Sequence, residues 1–321
     1  MLYVTTRNNR DPYTAYRVLN ERRSPDGGFY LPFHHPRFSE EEIAALEGKS
    51  FGQCVAEVLN LLFNCRLTGW DMDFYCGRAP VRLHPLEHKI LVAEAWHTTT
   101  GRFDQLAKTV TERICGESHP VSDWVNIAVR SAVWFGIYGE LKRLGIGLAD
   151  ISVLSGDFTL PISAWYARHW GLPIGRIICC CNENNAVWEL LSHGQMRTDA
   201  ISIPTMVPGA DVSIPTAVER LAYESGGIPE AARYLDACRR GTPYCPGDST
   251  LSKMRDGFYA VVVSSLRLET TIPSVYRTHG YRMTAETALS YAGLQDYRSK
   301  TGETRPVIVW AEENPSLEET I

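Results

Sequence analysis

Apolar residues recur at helical spacing between residues 50 and 62. Phe51, Val55, Val58, Leu59 and Leu62 fall on one face and predict an amphipathic helix there. Before it lie a short strand in LYVTT, a turn in SPDGGFYLP and one further helix. Residues 81–93 alternate and then run apolar through Ile90-Leu91-Val92-Ala93, predicting a strand. A helix over 104–115 is broken by His119-Pro120. From Ser122 the pattern changes. WVNIAVRSAVWFGIYGELKRLG reads as a long amphipathic helix ended by glycine, DISVLSG as a strand, 161–171 as a helix, RIICCCN as a strand and AVWELLSHG as a helix. Strands alternating with helices imply a parallel sheet with helical crossovers. The last third holds helices in AVERLAYESGG and IPEAARYLDACRR, a strand in YAVVVS, helices in IPSVYRTHG and AETALSYAG, and a strand in PVIVWA. The stretch 240–256 reads as loop, and no internal repeat or low-complexity tract interrupts the chain.

Composition narrows the class. The 321 residues are 44% hydrophobic and 21% charged, which is ordinary for a globular protein with ample core. The net charge of -5 and the lack of a basic stripe argue against nucleic acid as a partner. No apolar run reaches the roughly eighteen residues a membrane span needs, so no membrane partner is expected. MLYVTTRNNRD lacks the order of a signal peptide, so a cytoplasmic location is expected. The nine cysteines include no CxxC pair. Cys179-Cys180-Cys181 lies in a strand whose alternate side chains face opposite ways, which suits burial and not a metal site.

Candidate chemistry is sparse. His84-Pro85-Leu86-Glu87-His88 has metal-ligand residue types, but the proline spoils a helical pair and a surface turn is expected. No metal site is expected elsewhere. His34-His35 is expected to be exposed. No G-x-S-x-G elbow and no G-x-x-x-x-G-K-[ST] loop occurs. The stretch EAWHTTTGRFDQ, residues 94–105, is different. It follows an apolar strand with a polar turn and then a helix start, a layout that presents groups to a ligand.

Several motifs, in shared order, resemble threonine synthase, a fold-type-II enzyme family that uses pyridoxal phosphate (PLP). Tyr3-Val4-Thr5-Thr6-Arg7 resembles its opening strand, and Asp26-Gly27-Gly28-Phe29-Tyr30-Leu31-Pro32 its DGGLYVP turn. Ser155-Gly156-Asp157-Phe158 stands at its SGNFGN loop. Gly171-Leu172-Pro173-Ile174 with Asn182-Glu183-Asn184-Asn185 is similar to its GLPI and NxND segments. Ala210-Asp211-Val212-Ser213-Ile214-Pro215 with Glu219-Arg220 resembles MDVSVPSNFER. Laid on the family's ELFHGPTLAFKD motif, Glu94, His97, Thr100 and Phe103 match, and the aldimine lysine falls on Asp104. A carboxylate forms no Schiff base.

Three further departures point the same way. In the loop that cradles the PLP phosphate in the family, Asp157 brings negative charge and Thr159 replaces a glycine, while Asp157 suits a helix start. The family's TSGDTG substrate segment has no counterpart, because the stretch between Gln105 and Ser122 is too short for the small domain that carries it. Glu312 falls where the family places a hydroxyl facing the pyridine nitrogen, and Arg282–Ala288 stands at its LLDPHTA segment. Among the six lysines, Lys108 lies one helical turn beyond Asp104.

The resemblance therefore implies an α/β threonine synthase-like fold-type-II scaffold, a parallel sheet with helices on both faces, with the small cofactor and substrate domain largely deleted. Residues 1–80 form an N-terminal segment packed on the core, 81–121 a remnant of the lysine-bearing region, and 122–321 the large α/β domain. The expected role is a pseudoenzyme that has lost PLP chemistry and binds a partner or a small amino-acid-like ligand, with no cofactor. The alternative is a repurposed PLP-independent enzyme, lyase- or transferase-like, acting on an amino-acid-derived substrate with Asp104 and His97 as acid–base groups. A further alternative is a PLP-dependent lyase with Lys108 as aldimine lysine. Thr98, Thr99, Thr100, Ser155, Asp157, Thr159, Asn182 and Asn184 are expected to line a polar crevice beyond the strands' carboxyl ends, open to a ligand or closed by mutual hydrogen bonds. Loss of the small domain would bare apolar surface, which self-association or a protein partner would cover.

Overall fold

The computed structural model describes residues 1–99, 101, 103, 105–115 and 121–315. In chain order the elements are β1 (Leu2–Thr5), β2 (Tyr13–Thr14), α1 (Ala15–Asn20), β3 (Tyr30–Pro32), α2 (Glu40–Ala44), α3 (Phe51–Phe63), α4 (Gly69–Cys76), β4 (Arg82–Glu87) and β5 (Ile90–Glu94). There follow α5 (Gln105–Cys115), α6 (Asp123–Arg143), β6 (Ala149–Leu154), α7 (Thr159–His169), β7 (Ile174–Cys181) and α8 (Ala186–Trp188), which runs on as a π-turn at Glu189–His193. The rest are α9 (Val218–Arg240), α10 (Asp248–Met254), β8 (Phe258–Val262), α11 (Ser265–His279), α12 (Ala285–Thr301) and β9 (Val307–Ala311). The chain divides into two compact units: residues 1–82, 95–147 and 163–173 in one, and 83–94, 148–162 and 174–321 in the other.

The first unit is helical, with a three-stranded antiparallel sheet in the order β2-β1-β3. Helix α3 forms where the apolar period predicts it. Ser50 starts it with a capping box, its hydroxyl accepting from the Gln53 backbone while the Gln53 side chain accepts from the Ser50 backbone. Its face of Val55, Val58, Leu59 and Leu62 is buried against α6, each such side chain stabilising the fold by about 1.5–3 kcal/mol. Close approach depends on glycine: a Cβ at Gly136 of α6 would run into the Phe51 ring. Helix α6 is not amphipathic as expected. Trp124, Ala128, Val133, Phe135 and Leu141 are buried on all its sides, as in a core helix. His35 is not free on the surface either. It accepts from the Trp170 indole at 3.4 Å and lies against His169.

The second unit is built on a six-stranded sheet in the order β4-β5-β9-β6-β7-β8. The pairs β5–β9, β9–β6, β6–β7 and β7–β8 are parallel, as the strand–helix alternation implies. Register places Ile308 beside both Leu91 and Ile151, and Cys179 beside both Val153 and Ala260, so the central strands are apolar runs buried on both faces. The three adjacent cysteines all lie within buried β7. Gly293 of α12 packs on Cys180, so closely that a Cβ at 293 would overlap the Cys180 sulfur. The segment around His84 is a strand and not the expected turn: β4 and β5 join through a tight turn at His88-Lys89, where Lys89 has φ 60°. His84 lies against the Tyr281 ring, and Glu87 accepts from Tyr291 and Gln295. The stretch expected to be loop contains α10. The helices in AVERLAYESGG and IPEAARYLDACRR follow one another directly, with the break at Gly227.

Candidate functional site

Beyond β5, residues 95–99 and 101 belong to the first unit. The Thr99 backbone N–H donates to the Cys76 carbonyl at 3.2 Å and its hydroxyl to the Tyr75 carbonyl at 2.6 Å. Thr99 therefore satisfies the orphan carbonyls at the end of α4. Helix α4 ends at Gly77, whose φ of 96° a side chain would resist. His97 and Thr98 are half-buried, and the His97 ring lies 5.6 Å from that of Trp96. Phe103 is buried under the Arg130 guanidinium. Thr100 and Asp104 lie outside the described residues.

In the second unit the strand ends carry the other candidates. After β6, Ser155 is buried. Gly156 has φ 41°, and a Cβ there would meet the Gly209 carbonyl oxygen at 2.8 Å. Phe158, buried against Phe258, has φ 73°, an uncommon geometry for a bulky residue. Two of the loop's backbone donors are engaged within the protein. Phe158 N–H donates to the Ser155 carbonyl, and Thr159 N–H to the Asp157 carboxylate at 2.9 Å. The Thr159 hydroxyl donates to the same carboxylate at 2.7 Å. Asp157 and Thr159 thus form a hydrogen-bonded turn at the start of α7.

After β7, Asn182 and Asn184 are buried and form a clamp. Both side-chain amides donate to Asp211, at 2.7 and 3.1 Å, and that carboxylate also accepts from the Thr205 backbone and hydroxyl. Asn184 further bonds the Ile203 backbone in both directions, at 2.8 Å each way. Burial would raise the Asp211 carboxyl, but these donors outweigh it and hold it below the ordinary carboxylate value. The clamp fixes the 201–211 stretch, which presents Ile201, Ile203 and Met206 to solvent. Asp211 is marked in the sequence only by its motif; its pairing with Asn182 and Asn184 spans 27 residues of chain or more, which no local pattern reveals.

Carboxylates collect at the remaining strand ends. Tyr281 donates to Glu94 at 3.0 Å. Glu286, in the first turn of α12, has its carboxyl pushed up by burial and then by Glu313 and Glu312, against a bond from the Gly209 backbone. The Trp310 indole donates to Glu312 at 3.3 Å. Such crowding makes Glu286 a proton-holding acid at a higher pH than an ordinary glutamate. Among the described residues no group of three or more metal-ligating side chains gathers, and no helix is long and apolar enough to cross a membrane.

Residues 2–79 match the family model of the threonine synthase N terminus. Threonine synthase of Pseudomonas aeruginosa is 26% identical over 183 residues, 54% of this chain but only 39% of that protein's length. Among solved structures, PLP-bound threonine synthase from Brucella melitensis superposes with a TM-score of 0.86 at 20% identity, covering 98% of this chain and 89% of that one. Threonine synthase from yeast gives 0.82 at 14%, covering 98% and 87%.

PLP is the cofactor that this fold implies, and two features here do not fit it. The loop at Ser155–Thr159 offers a phosphate dianion the Asp157 carboxylate, with the Phe158 and Thr159 N–H groups already bonded. All six lysines are described and none is buried; Lys108 lies on the surface, 3.8 Å from Glu112.

Proposed function

We propose that this chain, threonine synthase-like in its N-terminal sequence and its fold, has left PLP chemistry and acts as a pseudoenzyme that binds a small amino-acid-like ligand or a protein partner. The observation that carries the reading is the Asp157 carboxylate, which places negative charge at the start of α7 and ties up the Thr159 N–H there. Asp104 supports it, standing where the resemblance puts the aldimine lysine and unable to form an imine. A partner is supported by the apolar side chains of Ile201, Ile203 and Met206, held outward on a clamped loop; self-association would cover them equally. Cytoplasmic residence belongs to the same reading.

One observation favours a second reading, a PLP-independent enzyme on an amino-acid-derived substrate. Glu286 sits among Glu312 and Glu313 with its carboxyl raised, as suits a general acid. Asp104 and His97 would then serve as further acid–base groups.

Incubating the purified chain with PLP and scanning for an aldimine band tests the first reading. No band is expected. A band that a Lys108→Ala variant abolishes would sink it. A thermal-shift screen with amino acids and phosphorylated homoserine-like compounds then separates the rest. Stabilisation lost in His97→Ala marks a working pocket, and turnover of the stabilising compound favours the enzyme. Stabilisation by none, with another chain co-purifying, marks a partner.

A further inference from the structure

At the amino ends of β7, β8 and β9, at the opposite ends of these strands from the candidate site, the second unit holds a cavity of about 1240 Å³. Small-ligand pockets commonly run to about 300–1,000 Å³, so a nucleotide-sized molecule fits within it. Its walls are strongly cationic in a chain of net charge -5. Arg176, Lys253, Arg255, Lys300 and Arg305 line it, against the carboxylates of Asp256 and Glu303. Glu303 is already paired with Arg305, at 2.9 Å.

The cations are arranged unequally. Arg305 is tied to Asp150 and Glu303. Arg255 donates from Nε to the Leu191 carbonyl at 2.7 Å and from Nη2 to the Ser192 carbonyl at 3.0 Å. Two neutral carbonyls fix its position through one edge without neutralising its charge. Arg176, Lys253 and Lys300 enter no ion pair among the described residues. These charges come from β7, α10, the segment before β8 and the end of α12, so they converge through the tertiary fold and are not a run in sequence.

The same walls carry rings. Trp188 and Tyr259 are half-buried. Trp188 is braced edge-on by His193 at 4.6 Å, and Tyr259 by Tyr297 at 4.8 Å. Braced, part-exposed aromatic faces beside uncompensated cations suit a ligand with a planar ring and several negative charges.

We propose that this cavity binds a phosphorylated small molecule bearing a planar ring, a nucleotide-like anion. The proposal does not depend on the reading given to the strand-end residues.

Titration calorimetry on the intact chain tests this with three probes: ADP, inorganic pyrophosphate and adenosine. ADP binds with a Kd below about 100 µM, and more weakly as salt is raised. Arg176→Ala with Lys300→Ala, both exposed side chains whose loss leaves the core intact, weakens ADP at least about tenfold. Tyr259→Ala weakens ADP and leaves pyrophosphate unchanged. Absence of binding by ADP and pyrophosphate at about 1 mM overturns the proposal, as does an ADP affinity that the double variant does not move. Pyrophosphate as tight as ADP overturns the planar-ring part, and adenosine as tight as ADP overturns the anionic part.

Discussion

The Asp157 carboxylate lies 2.9 Å from the Thr159 backbone nitrogen and 2.7 Å from its hydroxyl, so one side chain satisfies two donors at the start of α7. Removing it in Asp157→Ala leaves both to water, because the site is exposed. A loss of about 0.5–1 kcal/mol is expected, seen as a small fall in the denaturant midpoint. If the variant instead gains PLP affinity, the carboxylate is what keeps the cofactor out.

Asp211 gathers donors from Thr205, Asn182 and Asn184. Asn184→Ala should cost about 1–3 kcal/mol and speed proteolysis within 201–211, since it strips two backbone bonds from that stretch as well. A protease pattern identical to that of the parent would refute the clamp.

The same carboxylate sets a pH response. Its folded pKa is lowered, so its contribution is fully present above the ordinary carboxylate value near about 3.9 and lost as pH falls through the folded value. Melting curves at descending pH should show the parent losing more stability in that acid window than Asp211→Asn, which has no carboxylate to titrate.

Asp150 is fully buried and its charge is met by Arg305 at 2.6 Å. Arg305→Ala strands a buried carboxylate and should cost about 3–5 kcal/mol. Gly175→Ala attacks the same pair sterically, because a Cβ there would overlap both Asp150 Oδ1 and the Arg305 guanidinium. Equilibrium unfolding that leaves both variants within about 0.5 kcal/mol of the parent would contradict this picture.

Thiol chemistry should be equally uneven. Burial pushes the Cys180 and Cys181 thiols up to about 12 and about 11, and Cys179 well above its ordinary value, whereas Cys245 is exposed. A thiol reagent under native conditions should label Cys245 first and reach the three strand cysteines only on unfolding.

Much of this fold is readable from local pattern because local rules agree with it. The period in α3 and its Ser50 cap point one way, and the apolar runs of β5, β6, β7 and β9 mark buried parallel strands. The failures have physical causes. Pro85 points to a turn, yet β4 is an edge strand, where a missing N–H is tolerated. Helix α10 hides behind Pro246-Gly247, with Gly247 at its N-cap. Helix α11 begins at Ser265, where Ser264 caps it, well before the apolar signal at Ile272. At the candidate site, the sequence marks Asn182, Asn184 and Asp157 by residue type and position. It does not mark what they bond, since the Asn–Asp211 clamp is made across the fold.

Gly293 over Cys180 also constrains the chain's history. With no room for a Cβ at 293, neither position drifts alone: a larger residue at 180 demands that α12 move, and any side chain at 293 demands a smaller residue on β7 or a shifted strand. The two are expected to change together or not at all among descendants that keep this sheet, whatever becomes of the residues at its rim.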